Sequence, residues 1–273
     1  MSKSDKELPK IGFGTWQLKP KDAVDAVYHA IELGYRFIDT AQAYKNEEAV
    51  GQGINRAIDD GLVAREDLIV ATKVWIMKLW PYFVRKSTEK SLEKLKLDYV
   101  DLLYIHWPAP LFYSAKKTIP AFNELVEKRQ IKYIGVSNFT PNLIEEAKAH
   151  SDRPIFANQV EHHPMLRQES LRAYLDEQDI YLVAYSPLAR GKILDVNPII
   201  EIARKHGVSE AQVSLAWIME HGAIPIPKAT SKEHIQDNWK SLNLKLDQED
   251  LEKIDGMDRE KRLLDPPVIA PDW

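Results

Sequence analysis

The 273-residue chain contains no cysteine, which excludes disulfides, thiolate metal sites and a cysteine nucleophile. It has no apolar run of about eighteen residues, so no membrane-spanning helix is expected. The opening MSKSDKELPK lacks the apolar core of a secretory signal. No block of one charge sign is present, and a net charge of −4 offers no broad basic surface for nucleic acid. No Gly-x-Gly-x-x-Gly precedes a helix, which argues against a Rossmann domain. No linker rich in Pro, Gly or Ser divides the chain, so residues 1–273 are expected to form one domain. The remainder, 44% hydrophobic and 29% charged, is an ordinary globular composition with enough apolar material for one large core. A cytoplasmic protein is the simplest expectation.

Short apolar runs alternate with amphipathic stretches along most of the chain. The runs predict strands over 11–15, 37–40, 68–73, 100–106, 133–137, 154–159, 180–185 and 223–226. Helical periodicity falls at 19–33, 47–60, 81–95, 119–129, 141–150, 168–177, 199–206, 210–220 and 232–239, with a further helix over 248–257 outside the repeat. Gly34 reads as a helix stop, Pro120 and Thr140 as helix starts, and Asn46 as an N-cap followed by Glu47 and Glu48 in the dipole-favoured first turn. Strands apolar on both faces, in eight strand–helix units over roughly 250 residues, predict a (β/α)8 TIM barrel.

In such a barrel the chemistry sits at the C-terminal ends of the strands. Here those ends carry Trp16, Asp39, Lys73, His106, Ser137 with Asn138, Gln159, Tyr185 with Ser186, and Lys228. Taken singly, a strand-end Asp is more often a turn residue, a Lys a surface cation, and a His a satisfied core residue. Gathered on one barrel face they have a chemical reading. Asp39 pairs with Lys73, Lys73 lowers the pKa of the nearby phenol of Tyr44, and His106 hydrogen-bonds the same substrate oxygen. That set suits an oxygen that gains negative charge while carbon accepts hydride, as in carbonyl reduction. A metal-dependent barrel hydrolase would need a ligand cluster. The only dense pair, His162-His163, is adjacent on a strand end, where side chains point apart.

The ordered series GFGTW, GYRFIDTAQAYKNEEAVG, Lys73-Val74-Trp75, DLLYIHWP, GVSNF, NQVEHHP, YSPL and IPKAT resembles the aldo-keto reductase superfamily across residues 11–238. The resemblance implies a (β/α)8 barrel reducing aldehydes and ketones with NADPH, and with NADH as a secondary cofactor. It implies Tyr44 as general acid, Lys73 and Asp39 as its tuning pair, and His106 as the residue orienting the carbonyl. It places Ser137, Asn138 and Gln159 on the nicotinamide carboxamide, Tyr185 on the nicotinamide face, and Ser186 and Leu188 near the pyrophosphate. It assigns Lys228, Ala229 and Thr230 to the adenosine 2′-phosphate region and Asn238 to adenine, with the dinucleotide extended across the barrel mouth. Trp16, Trp75 and Trp107, with His106, would line the substrate pocket.

The chain also departs from the family pattern. His234 stands where many NADPH-preferring members have Arg, and a neutral imidazole is a weaker phosphate partner than a guanidinium, so NADPH is expected to be preferred with appreciable NADH use. The N-terminal hairpin that plugs the barrel in many members is short or missing, with Asp5-Lys6 as the remnant of its turn. The loop after Leu188 is brief, and the tail LLDPPVIAPDW either docks over the pocket through Trp273 or frays. Short loops predict an open pocket tolerant of many aldehydes, and the resemblance implies a monomer. Some barrels of this superfamily instead bind NADPH as sensing subunits of a partner protein, and no partner-binding extension is present here.

Overall fold

The structure is a computed structural model and describes residues 7–257 and 261–273. Its strands are β1 (Phe13–Gly14), β2 (Phe37–Asp39), β3 (Ile69–Val74), β4 (Val100–Ile105), β5 (Ile131–Ser137), β6 (Ile155–Glu161), β7 (Tyr181–Tyr185) and β8 (Ile224–Pro225). They pair in parallel in chain order from β1 to β8. The seam between β8 and β1 closes through the amides of Gly12 and Gly14, which donate to the carbonyls of Pro225 and Pro227 at 2.9 and 3.0 Å. Both partners two residues apart is the spacing of a parallel ladder. Pro225 and Pro227 have no N–H to return, which makes the seam one-sided and leaves β1 and β8 short. At Gly14 a Cβ would lie 2.5 Å from the Ile226 carbonyl oxygen, so only glycine lets the strands approach there.

The helices are α1 (Pro20–Leu33), α2 (Glu47–Asp59), α3 (Pro81–Leu95), α4 (Ala115–Glu127), α5 (Pro141–Lys148), α6 (Glu169–Glu177), α7 (Asn197–His206), α8 (Glu210–Glu220), α9 (Lys232–Lys240) and α10 (Gln248–Asp255). In α1, Ala23, Ala26, Val27, Ala30 and Ile31 form the buried stripe, and Gly34 ends the helix with φ 115°. Two large apolar clusters result, beside a small one of Ile76, Trp107 and Ala109. One lies between the sheet and the helices. The other fills the barrel, with Phe37, Leu102, Tyr104, Val183 and Ile226 among its members.

Two local expectations are corrected. Pro120 lies inside α4, which begins at Ala115. Lys116, whose carbonyl the Pro cannot bond, is exposed to water, as is Pro120 itself. Asn46 occupies the N-cap position of α2 without capping it; its side chain is committed elsewhere. Glu47 lies in the first turn of α2 as expected and is fully buried there, accepting from Thr72 Oγ1 at 2.8 Å and Lys94 Nζ at 3.3 Å. Asp5 and Lys6 lie outside the described residues. Leu8 is buried with the barrel-interior cluster, against which Tyr133, Phe156 and Tyr181 also pack. Tyr133 and Phe156 stack at 4.1 Å between ring centroids.

Candidate active site

The polar centre is built from β2, β3 and the turn after β2. Asp39 pairs in register with Ala71, so Lys73 projects beyond it at the C-terminal end of the barrel. The Lys73 ammonium donates to Asp39 Oδ1, to the Thr40 carbonyl at 2.9 Å and to Tyr44 Oη at 3.3 Å. Those three acceptors match its three N–H groups. Gln159 Nε2 donates to the other oxygen of Asp39 at 2.8 Å. Burial pushes Asp39 up and Lys73 down from their ordinary values, and each partner's charge opposes the shift.

Tyr44 ends a 3-10 turn, Gln42–Tyr44, followed by Lys45 in the left-handed region at φ 58°. Gln42 fixes this turn. Its Nε2 donates to Ser87 O and Ser91 Oγ on α3, both at 3.2 Å, and its Oε1 accepts from the Trp75 amide at 3.3 Å. Asn46 holds the opposite side. Its Nδ2 donates to Thr15 O at 2.9 Å and Leu18 O at 3.1 Å, and its Oδ1 accepts from Thr40 Oγ1 at 3.1 Å. The loop bearing Trp16 is thereby tied to the residue whose carbonyl holds Lys73.

Lys73 was expected to lower the phenol pKa of Tyr44. Burial instead pushes it well above 10, and the charges of Asp39 and Tyr185 act in the same direction. His106 moves the other way. Burial, then the Lys73 charge, holds its imidazole well below 6.5, so the ring is neutral at pH 7. Its edge faces Tyr44 at 5.8 Å and Trp75 at 5.3 Å between centroids. The centre therefore combines a protonated phenol, a neutral imidazole and a buried ammonium beside one cavity.

That cavity has a volume of about 760 Å3, within the range of small-molecule sites. Asp39, Tyr44, His106, Trp16, Trp75, Trp107, Ser137, Asn138, Gln159, Tyr185, Ser186, Leu188 and Lys228 all line it, so the strand-end residues are brought together. Lys73 lies beneath Asp39 and Tyr44, fully buried. Ala229 (buried), Thr230 and His234 (exposed) and Asn238 (buried on α9) continue away from Lys228 and do not line the cavity. His162 and His163 face different partners, Leu166 O and the Glu161 carboxylate.

The lining has the features a dinucleotide needs. Asn138, held at φ 63°, donates to His106 O at 3.2 Å and accepts from Tyr185 Oη at 2.8 Å. Ser186, Ala189 and Arg190 are also left-handed, at φ 48°, 46° and 55°. Non-glycine residues so placed concentrate where a site over-determines the backbone. Amide groups and a tyrosine ring, lining one cavity with the Arg190 and Lys228 cations, suit a flat carboxamide ring joined to phosphates. The sequence reading missed Arg190, whose guanidinium lies 4.9 Å from the Trp16 ring. It also missed Gln42 and the positioning role of Asn46. Leu264, Pro266 and Ile269 of the tail line the cavity, and Trp273 docks against Trp107 at 6.4 Å between centroids rather than fraying.

The sequence model of the Aldo/keto reductase family matches residues 10–259. The chain belongs to this family. Glyoxal reductase from Bacillus subtilis (strain 168) is 42% identical over 258 residues, covering 94% of this chain and 91% of the relative. Methylglyoxal reductase DkgB from Escherichia coli O157:H7 is 41% identical over 268 residues, covering 97% and 99%. A solved aldo-keto reductase complexed with NADPH superposes with a TM-score of 0.88 at 32% identity, covering 96% of this chain and 88% of that one. As an aldo/keto reductase the protein is an NADPH-dependent oxidoreductase of carbonyl compounds, on a (β/α)8 barrel. Among the described residues no helix is long and apolar enough to cross a membrane.

Proposed function

We propose that the chain reduces small 2-oxoaldehydes to hydroxy compounds, with Tyr44 as proton donor. The observation that carries this reading is the Lys73 ammonium, which joins Asp39 to Tyr44 Oη beside a neutral His106. NADPH, when bound, supplies the hydride to the carbonyl carbon. His106 donates a hydrogen bond to the carbonyl oxygen and orients it. Tyr44 passes its proton to that oxygen as negative charge develops, and Lys73 stabilises the phenolate left behind. Asp39 keeps Lys73 charged and in place. Ser137, Asn138, Gln159 and Tyr185 position the nicotinamide end, Ser186, Leu188 and Arg190 flank the diphosphate, and Lys228 with Thr230 and His234 meets the 2′-phosphate.

The tryptophan walls and the glyoxal and methylglyoxal reductase relatives support the substrate class. We also read the chain as one domain, supported by its single eight-stranded sheet, as a cytoplasmic enzyme, supported by a composition without cysteine, and as a monomer, a reading that rests on the family resemblance alone. Initial rates of NADPH oxidation with methylglyoxal, glyoxal and xylose test the proposal. The expected kcat/KM is at least tenfold higher for the dicarbonyls. Higher kcat/KM for xylose overturns the substrate class, and no oxidation with any of them overturns the reductase reading.

A further inference from the structure

Glu161 ends β6, two residues beyond Gln159, and its side chain is fully buried. It takes no part in the cavity wall. Its carboxylate instead accepts backbone N–H groups from the C-terminal tail. Leu263 N lies 2.9 Å from Oε1 and 3.1 Å from Oε2, and Leu264 N lies 2.9 Å from Oε2. His163 Nε2 stands 3.0 Å from Oε1 and must carry the proton, because an ionised carboxylate only accepts. The backbone oxygen of Glu161 is also occupied, by Gln168 Nε2 at 2.9 Å. A buried carboxylate facing two successive amides is a hook for whatever chain carries them.

The chain so held reaches the substrate space directly. Leu264, one of the two donors, lines the cavity, and Pro266 and Ile269 follow it along the same wall. Beyond them Ile269 and Ala270 pack with Ile76, Trp107 and Ala109, and Ala109 N donates to Ile269 O at 3.2 Å. The Arg262 guanidinium covers the Trp273 ring at 3.5 Å. The tail is thus fastened at both ends of its cavity-lining stretch, by a polar hook at Glu161 and by an apolar clamp at Trp107. The clamp alone is a few side chains at a chain terminus, where order depends on such ties.

We propose that Glu161 is a positioning residue for substrate selection, holding the Leu264–Ile269 wall against the cavity without touching substrate. This rests on the reductase reading above. Substrates large enough to reach the tail wall depend on the hook, and a three-carbon dicarbonyl does not. Glu161→Gln keeps the shape but removes the charge and turns one acceptor into a donor facing the tail amides or His163.

The test compares wild type, E161Q and a chain ending at Arg262, with methylglyoxal and 4-nitrobenzaldehyde as substrates. In E161Q, KM for 4-nitrobenzaldehyde is expected to change about tenfold while kcat for methylglyoxal stays within about threefold. In the chain ending at Arg262, E161Q should produce no further change in the KM ratio, because the hook has nothing to hold. Tryptic release of peptide 263–273 should rise about tenfold in E161Q, without reference to turnover. Equal losses for both aldehydes in E161Q, full effects of E161Q in the shortened chain, or unchanged release of the peptide would each overturn the hook. If E161Q fails to fold, Leu263→Pro removes the amide that reaches both carboxylate oxygens, while leaving the buried carboxylate and the cavity-lining side chains intact, and the same outcomes for KM and for peptide release apply. Absence of reduction with protected tail peptides would sink the reductase reading and leave the hook standing.

Discussion

Gln159 donates through Nε2 to Asp39 Oδ2 at 2.8 Å, occupying the carboxylate oxygen that Lys73 leaves free. A residue expected only to hold cofactor is therefore also the third member of the buried ion pair. Removing it leaves a buried ionised oxygen without that donor, at a cost of about 1–3 kcal/mol. Gln159→Leu should lower stability in urea by that amount and weaken NADPH binding, measured by quenching of protein fluorescence. A stable variant that loses only NADPH affinity would show that the Asp39 contact carries no energy.

Tyr44→Phe deletes the proposed proton donor and keeps the ring. Its aldehyde reduction should fall by roughly 10²–10⁴-fold, with NADPH affinity changed by no more than about threefold. Near-wild-type kcat would sink the assignment. Lys73→Met should lose as much, because the phenol of Tyr44 is already held above its ordinary value by burial and has no other cation within hydrogen-bond reach among the described residues.

Asn46 separates two readings of one position. As an N-cap it would be replaced well by serine. As the tie between the Thr15 and Leu18 carbonyls and Thr40, it cannot be, since a serine hydroxyl is too short to span them. Asn46→Ser and Asn46→Ala should therefore both cost about 2–3 kcal/mol in urea unfolding. Serine restoring wild-type stability would return the residue to the role of a cap.

His162 gives the fold an acid sensitivity. Burial, with the nearby charges of Arg172 and His163, depresses its pKa from 6.5 to about 3, while its Nδ1 lies 3.2 Å from Leu166 O. The folded ring stays neutral where the unfolded ring takes up a proton. The stabilising difference is thus fully present above pH 6.5 and is lost progressively as the pH falls to about 3. The loss is on the order of 5 kcal/mol. Urea unfolding followed from pH 7 to 4 should show a shallower decline in His162→Leu than in wild type, and parallel declines would rule the residue out as the source.

The barrel and its central chemistry were legible because both are local patterns. Strands apolar on both faces announce a covered parallel sheet, and a charge at the end of such a strand has few bland explanations once Asp39, Lys73 and His106 share a face. The glycine stop at Gly34, at φ 115°, was equally readable. Pro120 misled because helix interiors tolerate proline where the orphaned carbonyl meets water. Asn46 misled because its cap signature is real in sequence while its side chain is claimed by carbonyls in another loop.

The pattern of residues along the chain by itself determined the fold class, the family and the identity of the polar set around Tyr44, since periodicity and spacing are properties of neighbours. Only the tertiary structure decided how that set is supported and walled. Gln159 on β6 meets Asp39 on β2, Glu161 holds amides 102 and 103 residues away, and Trp273 lies on Trp107. Such contacts join segments distant along the chain, which leave no mark on local periodicity. Burial does the same to protonation: it raises the phenol of Tyr44 against the pull of an ammonium 3.3 Å away, which residue types alone would have predicted to lower it.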